Sequence, residues 1–378
     1  MHFSPDLIIC LLFVCCASIQ LFYYLFFFAR LANHIPVEEV SDNAKLPVSI
    51  IICALNEEAN LKQNLPLLLD QVYLKNNKPN FEVLVVNDNS DDGTFYLLNQ
   101  LQEQYAHLHV VHLTQEAKLI SGKKFPLSMG IKEAKYEHLL LTDADCSPAS
   151  SHWLARMVAG FSESKKIVLG YSPYKKYEGT LNKRIRFETF HTAVQYLSYA
   201  LANMPYMGVG RNLAYKKELF NANKGFTSHH HVISGDDDLF INQVADSKNT
   251  VISIHPDAFT ISEPMMTHEE WQLQKERHLS TGKYYKMKFQ VLLGLYAVSH
   301  LLFWLTFVSS IIFWHYFIFV FLFFGIRMSA HWFILKKCCV VLQEEDLMNQ
   351  IWKFDFWFLQ YNIKNSPSIF LKNKTNWN

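Results

Sequence analysis

The chain has 378 residues, a formal net charge of +1, and half of its residues are apolar, including 30 phenylalanines. That length permits one large domain or two smaller ones, and the near-neutral balance excludes a charge-driven nucleic-acid binder. The apolar excess is concentrated at the two ends, which excludes an evenly soluble chain.

Leu7 to Phe28 is a run of 22 residues without a charge. At 1.5 Å per residue it reaches about 33 Å, enough to cross a hydrocarbon core of roughly 30 Å. A cleaved signal peptide is the alternative, but no Lys or Arg precedes the run and no Ala-x-Ala-like site follows it. An anchor over residues 1–30 is expected.

From about Leu46 to Lys288 the pattern alternates between strand and helix. Val48 to Ala54, Phe81 to Val86, Leu108 to His112 and His138 to Thr142 read as buried strands, continuous and β-rich. Glu57 to Gln71, Asp91 to Gln104, Lys123 to Ala134 and Ala149 to Ser162 read as the intervening helices, with Asp91 placed to cap the second. Such alternation implies parallel pairing in a doubly wound α/β sheet, here over residues 46–288.

Phe289 to Ile326 contains 38 residues without Asp, Glu, Lys or Arg. One helix of that length would be about 57 Å, so two spans are expected over 289–327, folded near Ser309-Ser310 or Trp314-His315-Tyr316, with a re-entrant hairpin as the alternative. Arg30, Lys283, Lys286, Lys288, Arg327, Lys336 and Lys337 flank these spans. One topology puts them on the same side: amino terminus outside, central domain and carboxyl terminus in the cytoplasm, in a multi-pass cell-membrane protein. No cysteine pair has zinc-ligand spacing, and a cytoplasmic domain keeps its thiols reduced. Over residues 343–363, Leu347, Ile351, Phe354, Phe358 and Tyr361 recur at helical spacing. This predicts an interfacial helix on the membrane, or one packed on the globular domain.

The chemistry is carried by carboxylates. Asp88 and the pair Asp143 and Asp145 stand where strands end, the crevice in which open α/β sheets bind ligands. Two carboxylates spaced i, i+2 offer hard oxygen ligands for Mg²⁺ or Mn²⁺ holding a diphosphate. Asn56 and Glu57 open the loop after the first strand and can meet a nucleotide. Asp91, Asp92 and Gly93 read as turn and cap residues. Gly122 lets the backbone approach closely, and Lys123 at a helix start can reach a phosphate, although Ser121-Gly122-Lys123-Lys124 lacks Walker spacing. In Ser234-Gly-Asp236-Asp237-Asp238-Leu239, adjacent carboxylates repel, which raises the pKa of at least one, and a positioned one can act as general base. Gln274 and Arg277 share a helix face from which Arg can clamp a diphosphate, or touch lipid phosphates instead. His229 to His231 reads first as a loop and only secondarily as a metal contact.

These motifs, in this order, resemble membrane-anchored family 2 glycosyltransferases, inverting enzymes of the GT-A fold, over roughly Leu46 to Lys288. Pro47-Val-Ser-Ile-Ile-Ile-Cys-Ala-Leu-Asn56-Glu57 is similar to the family's opening strand and loop. Val85-Val-Asn-Asp88 with Ser90-Asp-Asp-Gly-Thr94 resembles the element that contacts the base. Asp143-Ala-Asp145 matches the metal-binding Asp-x-Asp, and Gly235-Asp236-Asp-Asp238-Leu resembles the stretch that carries the catalytic base. Met207-Gly-Val-Gly-Arg211-Asn212 is similar to the glycine-containing acceptor loop. Gln274-Lys-Glu-Arg277-His278 resembles the Gln-x-x-Arg-Trp of processive members, with His278 in place of Trp.

The resemblance implies a GT-A doubly wound, mostly parallel sheet with one N-terminal and two C-terminal transmembrane helices plus the interfacial helix. Asn56, Glu57, Asp88, Lys123, Asp143, Gln274 and Arg277 are then expected to bind the donor. Gly210, Arg211 and Asn212 fall on the acceptor side. Asp143 and Asp145 are assigned to Mg²⁺ or Mn²⁺, and Asp236, with Asp237 beside it, to catalysis. The expected partners are a nucleotide sugar, a lipid-linked or saccharide acceptor and the bilayer. Competing readings are a processive polysaccharide synthase, a GT-A-like nucleotidyltransferase, and a non-catalytic nucleotide-binding membrane scaffold.

Overall fold

The computed structural model of the chain describes residues 4–36, 46–114, 122–313 and 316–365. Its centre is a seven-stranded sheet: β1 (Val48–Ala54), β2 (Phe81–Asp88), β3 (Leu108–Leu113), β4 (His138–Leu141), β5 (Ile167–Leu169), β6 (Leu213–Lys216) and β7 (Thr250–Ile252). The spatial order is β7-β5-β6-β4-β1-β2-β3. Strands β4, β1, β2 and β3 pair in parallel, as do β7 and β5, whereas β6 runs antiparallel to both its neighbours. The sheet is therefore mostly parallel, as the alternation of strand and helix predicts, with one reversed strand that the alternation does not announce.

β1 is buried along its whole length, and its side chains divide between the two faces of the sheet. Ile50 and Ile52 pack with α2 (Glu58–Leu69), α5 (Trp153–Val158) and α3 (Thr94–Gln104), while Ile51 and Cys53 pack with α4 (Lys124–Glu133) and α6 (Thr180–Leu201). α3 begins at Thr94, and Asp92 rather than Asp91 accepts from the Thr94 N–H. Gly130 of α4 lies so close to the sheet that a Cβ would come within 2.8 Å of Ile51, so this helix seats flat on β1.

Among the described residues, three helices are long and apolar enough to cross a membrane. The first, α1 (Pro5–Phe22), continues through a π-helical turn, Tyr23–Phe28, to Ala32. The others are α9 (Met287–Phe313), which follows α7 (Asp238–Val244) and α8 (His268–Leu279), and α10 (Phe317–Val341). Tyr316, just before α10, adopts a left-handed φ of 58°; Trp314 and His315, where a fold was expected, lie outside the described residues. The apolar hairpin thus extends well beyond the expected 289–327. Arg327, expected to flank the third span, instead lies inside it and is buried.

The sheet core is continuous with the spans. Tyr23, Phe27 and Phe28 of the first helix, Leu335 and Cys338 of α10, and Ile351 and Phe354 of α11 (Ile351–Asn365) join one apolar cluster with β1 and α6. Phe27 stacks on Tyr199 with ring centroids 4.2 Å apart. α11 supplies the expected C-terminal helix, starting later than 343 because residues 345–350 form a 3₁₀ turn. One of its faces is buried, while Trp352, Phe356 and Ile363 are exposed.

Candidate active site

The loops after β1 and β2 are laced together at the carboxyl edge of the sheet. Asn56, in a left-handed conformation, donates its N–H to Ser90 Oγ (2.9 Å) and accepts from the Asp91 N–H (2.8 Å). The Glu57 N–H reaches Thr94 Oγ1 and the Glu58 N–H reaches Asp92 Oδ2. Asn56 is thus committed to holding the loops in register. Glu57 is the carboxyl that faces the centre: burial raises its pKa, the Asn60 amide at 2.6 Å lowers it, and Asp145 and Asp143 raise it further. Asp88 ends β2 with its side chain buried.

Asp143 and Asp145 follow β4 in the same crevice. Lys123 forms an ion pair with Asp143 Oδ1. Burial alone would discourage the Asp143 charge, yet Lys123, Arg211 and Arg277 together hold its pKa below the ordinary carboxylate value. Asp145 goes the other way: burial and then Asp143 raise it, while Arg211 and the Ser262 hydroxyl, 3.0 Å from Oδ2, oppose the rise. A cavity of about 140 Å³ opens beside Asp145, lined also by Asn60, Asn64 and Glu263. Two half-buried carboxylates, one of which raises the other's cost of ionisation, fit a hard divalent cation. Among the described residues no three His, Cys, Asp or Glu side chains converge on one point. His229 is buried, and its Nδ1 lies within hydrogen-bond distance of Ser228 Oγ (3.0 Å) and Gln243 Nε2 (3.1 Å).

Gly122 leads into Lys123 with φ 75°, and a Cβ there would stand 2.6 Å from the Ile233 carbonyl; Ser121 lies outside the described residues. The close approach docks the start of α4 against the loop that carries the acidic triplet. Lys124 completes the junction: fully buried, it donates to the carbonyls of His229 (2.7 Å) and Val232 (2.6 Å), and burial pushes its pKa down to about 8. Neighbouring lysines thus hold two different acidic elements.

Within the triplet the three aspartates differ. Asp237 accepts from the Gly210 N–H (2.7 Å) and the Asp238 N–H (2.7 Å), and burial, then Asp236 and Asp238, lift its pKa to about 7. Asp238 accepts from Thr281 Oγ1 and from the Tyr285 hydroxyl at 2.7 Å. Asp236 makes no hydrogen bond to any described residue, and its charge reaches Lys123. Asp237, expected beside Asp236 in catalysis, is engaged in fixing the loop. Thr281 and Tyr285 escaped the sequence reading, since nothing local distinguishes them from other polar residues ahead of a span.

The loop expected on the acceptor side divides as well. Asn212 is wholly buried, donating to Tyr171 O (2.8 Å) and Ala258 O (2.7 Å) and accepting from Trp153 Nε1 (3.1 Å). It is a pin in the core, with both amide hydrogens and one lone pair of its carbonyl oxygen committed to the protein. Gly210 offers its N–H to Asp237, and Arg211 faces Asp143 and Asp145. On α8, Gln274 accepts loosely from the Tyr174 hydroxyl (3.4 Å), and Arg277 adds its field to Asp143. Lys275 pairs with Glu188 of α6 and fixes the helix from the other side.

Residues 49–227 match the model of "Glycosyl transferase family 2". The probable glycosyltransferase YdaM of Bacillus subtilis is 24% identical over 251 residues, covering 64% of this chain and 56% of that protein. The glycosyltransferase AglE of Haloferax volcanii is 29% identical over 143 residues, 38% of this chain and 44% of that protein. The chain therefore spans about half the length of these curated relatives. In fold it is similar to the mannosyltransferase PcManGT from Pyrobaculum calidifontis, solved with GDP-Man and Mn²⁺. The TM-score is 0.59 at 18% identity, over 93% of this chain and 99% of that one. Residues 49–227 are thus similar to family 2 glycosyltransferases, the chain shares the fold of that mannosyltransferase, and among the described residues three helices are able to cross a membrane.

Proposed function

We propose that this protein is a membrane-bound inverting glycosyltransferase that moves a sugar from a nucleotide sugar to an acceptor presented at the cytoplasmic face of the bilayer. The observation that carries the reading is the state of Asp236. It is the member of the triplet left without a hydrogen bond to any described residue, while its two neighbours hold the loop beside Lys123 and the Asp143 carboxylate. A carboxylate in that position takes the proton from the acceptor hydroxyl as its oxygen attacks the anomeric carbon. Asp143 and Asp145 would hold Mg²⁺ or Mn²⁺, which supplies charge stabilisation at the donor diphosphate.

The membrane side of the reading rests on the tie between the triplet and the second span. Asp238 is bonded to Thr281 and Tyr285, and the Lys286 N–H to Asn242 Oδ1, immediately before α9 begins. A lipid-linked acceptor rising from the bilayer fits a base mounted there. Lys337 reaches Asn33 Oδ1 at 2.9 Å, so the basic ends of the first and third spans adjoin, and positive flanks favour the cytoplasm. The exposed Trp352, Phe356 and Ile363 of α11 suit the bilayer interface.

The test is nucleoside diphosphate release by detergent-purified protein from a panel of UDP- and GDP-sugars, with Mn²⁺ or with EDTA. Metal-dependent release from one donor, abolished by Asp143→Ala with Asp145→Ala, supports the reading. Asp236→Asn is expected to keep donor affinity while lowering transfer by about 10²- to 10⁴-fold. Equal loss of binding and transfer would remove Asp236 from the base position.

A further inference from the structure

We propose that Arg211, placed by its motif on the acceptor side, is the cation that grips the diphosphate of the donor and follows it as it leaves; this rests on the nucleotide-sugar reading above. Arg211 occupies the middle of a 3₁₀ turn, Gly210–Asn212, that enters β6. Both neighbours are immobilised, Gly210 by Asp237 and Asn212 by three hydrogen bonds in the core. Its own carbonyl accepts from Thr260 Oγ1 at 2.9 Å. The backbone therefore leaves little freedom to the start of the side chain.

The guanidinium lies 4.3 Å from the centre of the Tyr174 ring, and one nitrogen, Nη2, donates to the Ser172 carbonyl at 3.2 Å. The other, Nη1, is buried and has no hydrogen-bond partner among the described residues. Buried donors are almost always paired, so an orphaned N–H on a rigidly held arginine marks a ligand position. The charge lies near enough to Asp143 and Asp145 to favour ionisation of both. A residue serving only as their counter-ion would be expected to reach them with its free nitrogen, and this one does not. A planar guanidinium braced on an aromatic face and a carbonyl, with one nitrogen open, is the geometry that receives a phosphate oxygen.

In the transfer the acceptor oxygen forms its bond to the anomeric carbon and its proton passes to Asp236. The bond from that carbon to the terminal phosphate oxygen breaks, and the electron pair stays with the diphosphate. Arg211 donates to the oxygens on which this charge accumulates, an interaction that strengthens as the bond lengthens.

The assignment separates diphosphates from monophosphates. Titration calorimetry on the full detergent-solubilised chain, with Mn²⁺, would compare UDP with UMP and GDP with GMP. Arg211→Met is expected to weaken the diphosphate of the preferred pair by about 10- to 100-fold while leaving its monophosphate within about twofold. Arg211→Lys, which keeps the charge but not the fork, should recover part of the loss, and it carries the comparison if the methionine variant does not fold. Equal weakening of both nucleotides, or of neither, would overturn the assignment. Failure of the unmodified chain to bind any of the four would bring down the nucleotide-sugar reading, and Arg211 with it.

Discussion

Asp237 and Asp238 both sit above the ordinary carboxylate range, burial being the larger cause, and Asp237 titrates near 7. An aspartate in an unfolded chain titrates at about 4. Between about pH 4 and 7 the folded protein therefore keeps a proton that the unfolded chain has released, so stability falls as pH rises across that window. Asp237→Asn cannot ionise, and its melting temperature should decline less steeply from pH 5 to 7.5 than that of the unmodified protein. Parallel profiles would place the retained proton elsewhere in the triplet. The repulsion behind this behaviour was legible in three consecutive aspartates. Which one stays free was not, because that depends on donors from Gly210, Thr281 and Tyr285, all distant in sequence.

At the scale of elements, the parallel half of the sheet was readable because β1, β2, β3 and β4 are continuous apolar runs that end in polar loops. β5 and β7 have three residues each, too short for a period to register, and β6 hides behind the turn that carries Arg211. The glycine-containing motif was visible, but its split into a core pin, Asn212, and a half-buried cation, Arg211, needed the crossing of β6 with β4 and β5. The same holds for the tie between α7 and the start of α9, where Tyr285 reaches Asp238 and its ring packs on Tyr206. Tyr285→Phe keeps the ring contact and removes one donor from the loop. Transfer should fall roughly 10- to 100-fold through misplacement of the base, with nucleotide affinity unchanged. A parallel loss of affinity in calorimetry would mean that the segment shapes the donor site instead.

Across the whole molecule, the three spans and α11 meet on one buried polar cluster. Arg327 of α10 donates to both oxygens of Asp355 on α11, at 2.6 and 2.9 Å, and also to the Tyr24 hydroxyl and Gln20 Oε1 of the first span. His300 and Trp304 of α9, each at 3.2 Å, and His331 of α10, at 3.4 Å, also face Asp355. Arg327 was read as a charge flanking the third span because a single arginine in an apolar run ordinarily marks its edge. Its partner lies 28 residues away on a helix whose docking the sequence left open. Removing one member of a buried pair strands the other charge, at a cost of about 3–5 kcal/mol, whereas replacing both with apolar residues of similar size is often neutral. Asp355→Leu alone should therefore release α11, seen as early proteolysis after residue 345 and a lower melting temperature in detergent. Arg327→Leu combined with Asp355→Leu should restore most of both. If the double variant is as unstable as the sum of the singles, the pair contributes no coupling. The apolar face of α11, with Ile351 and Phe354 in the shared core, would then suffice to hold the catalytic domain on its membrane helices.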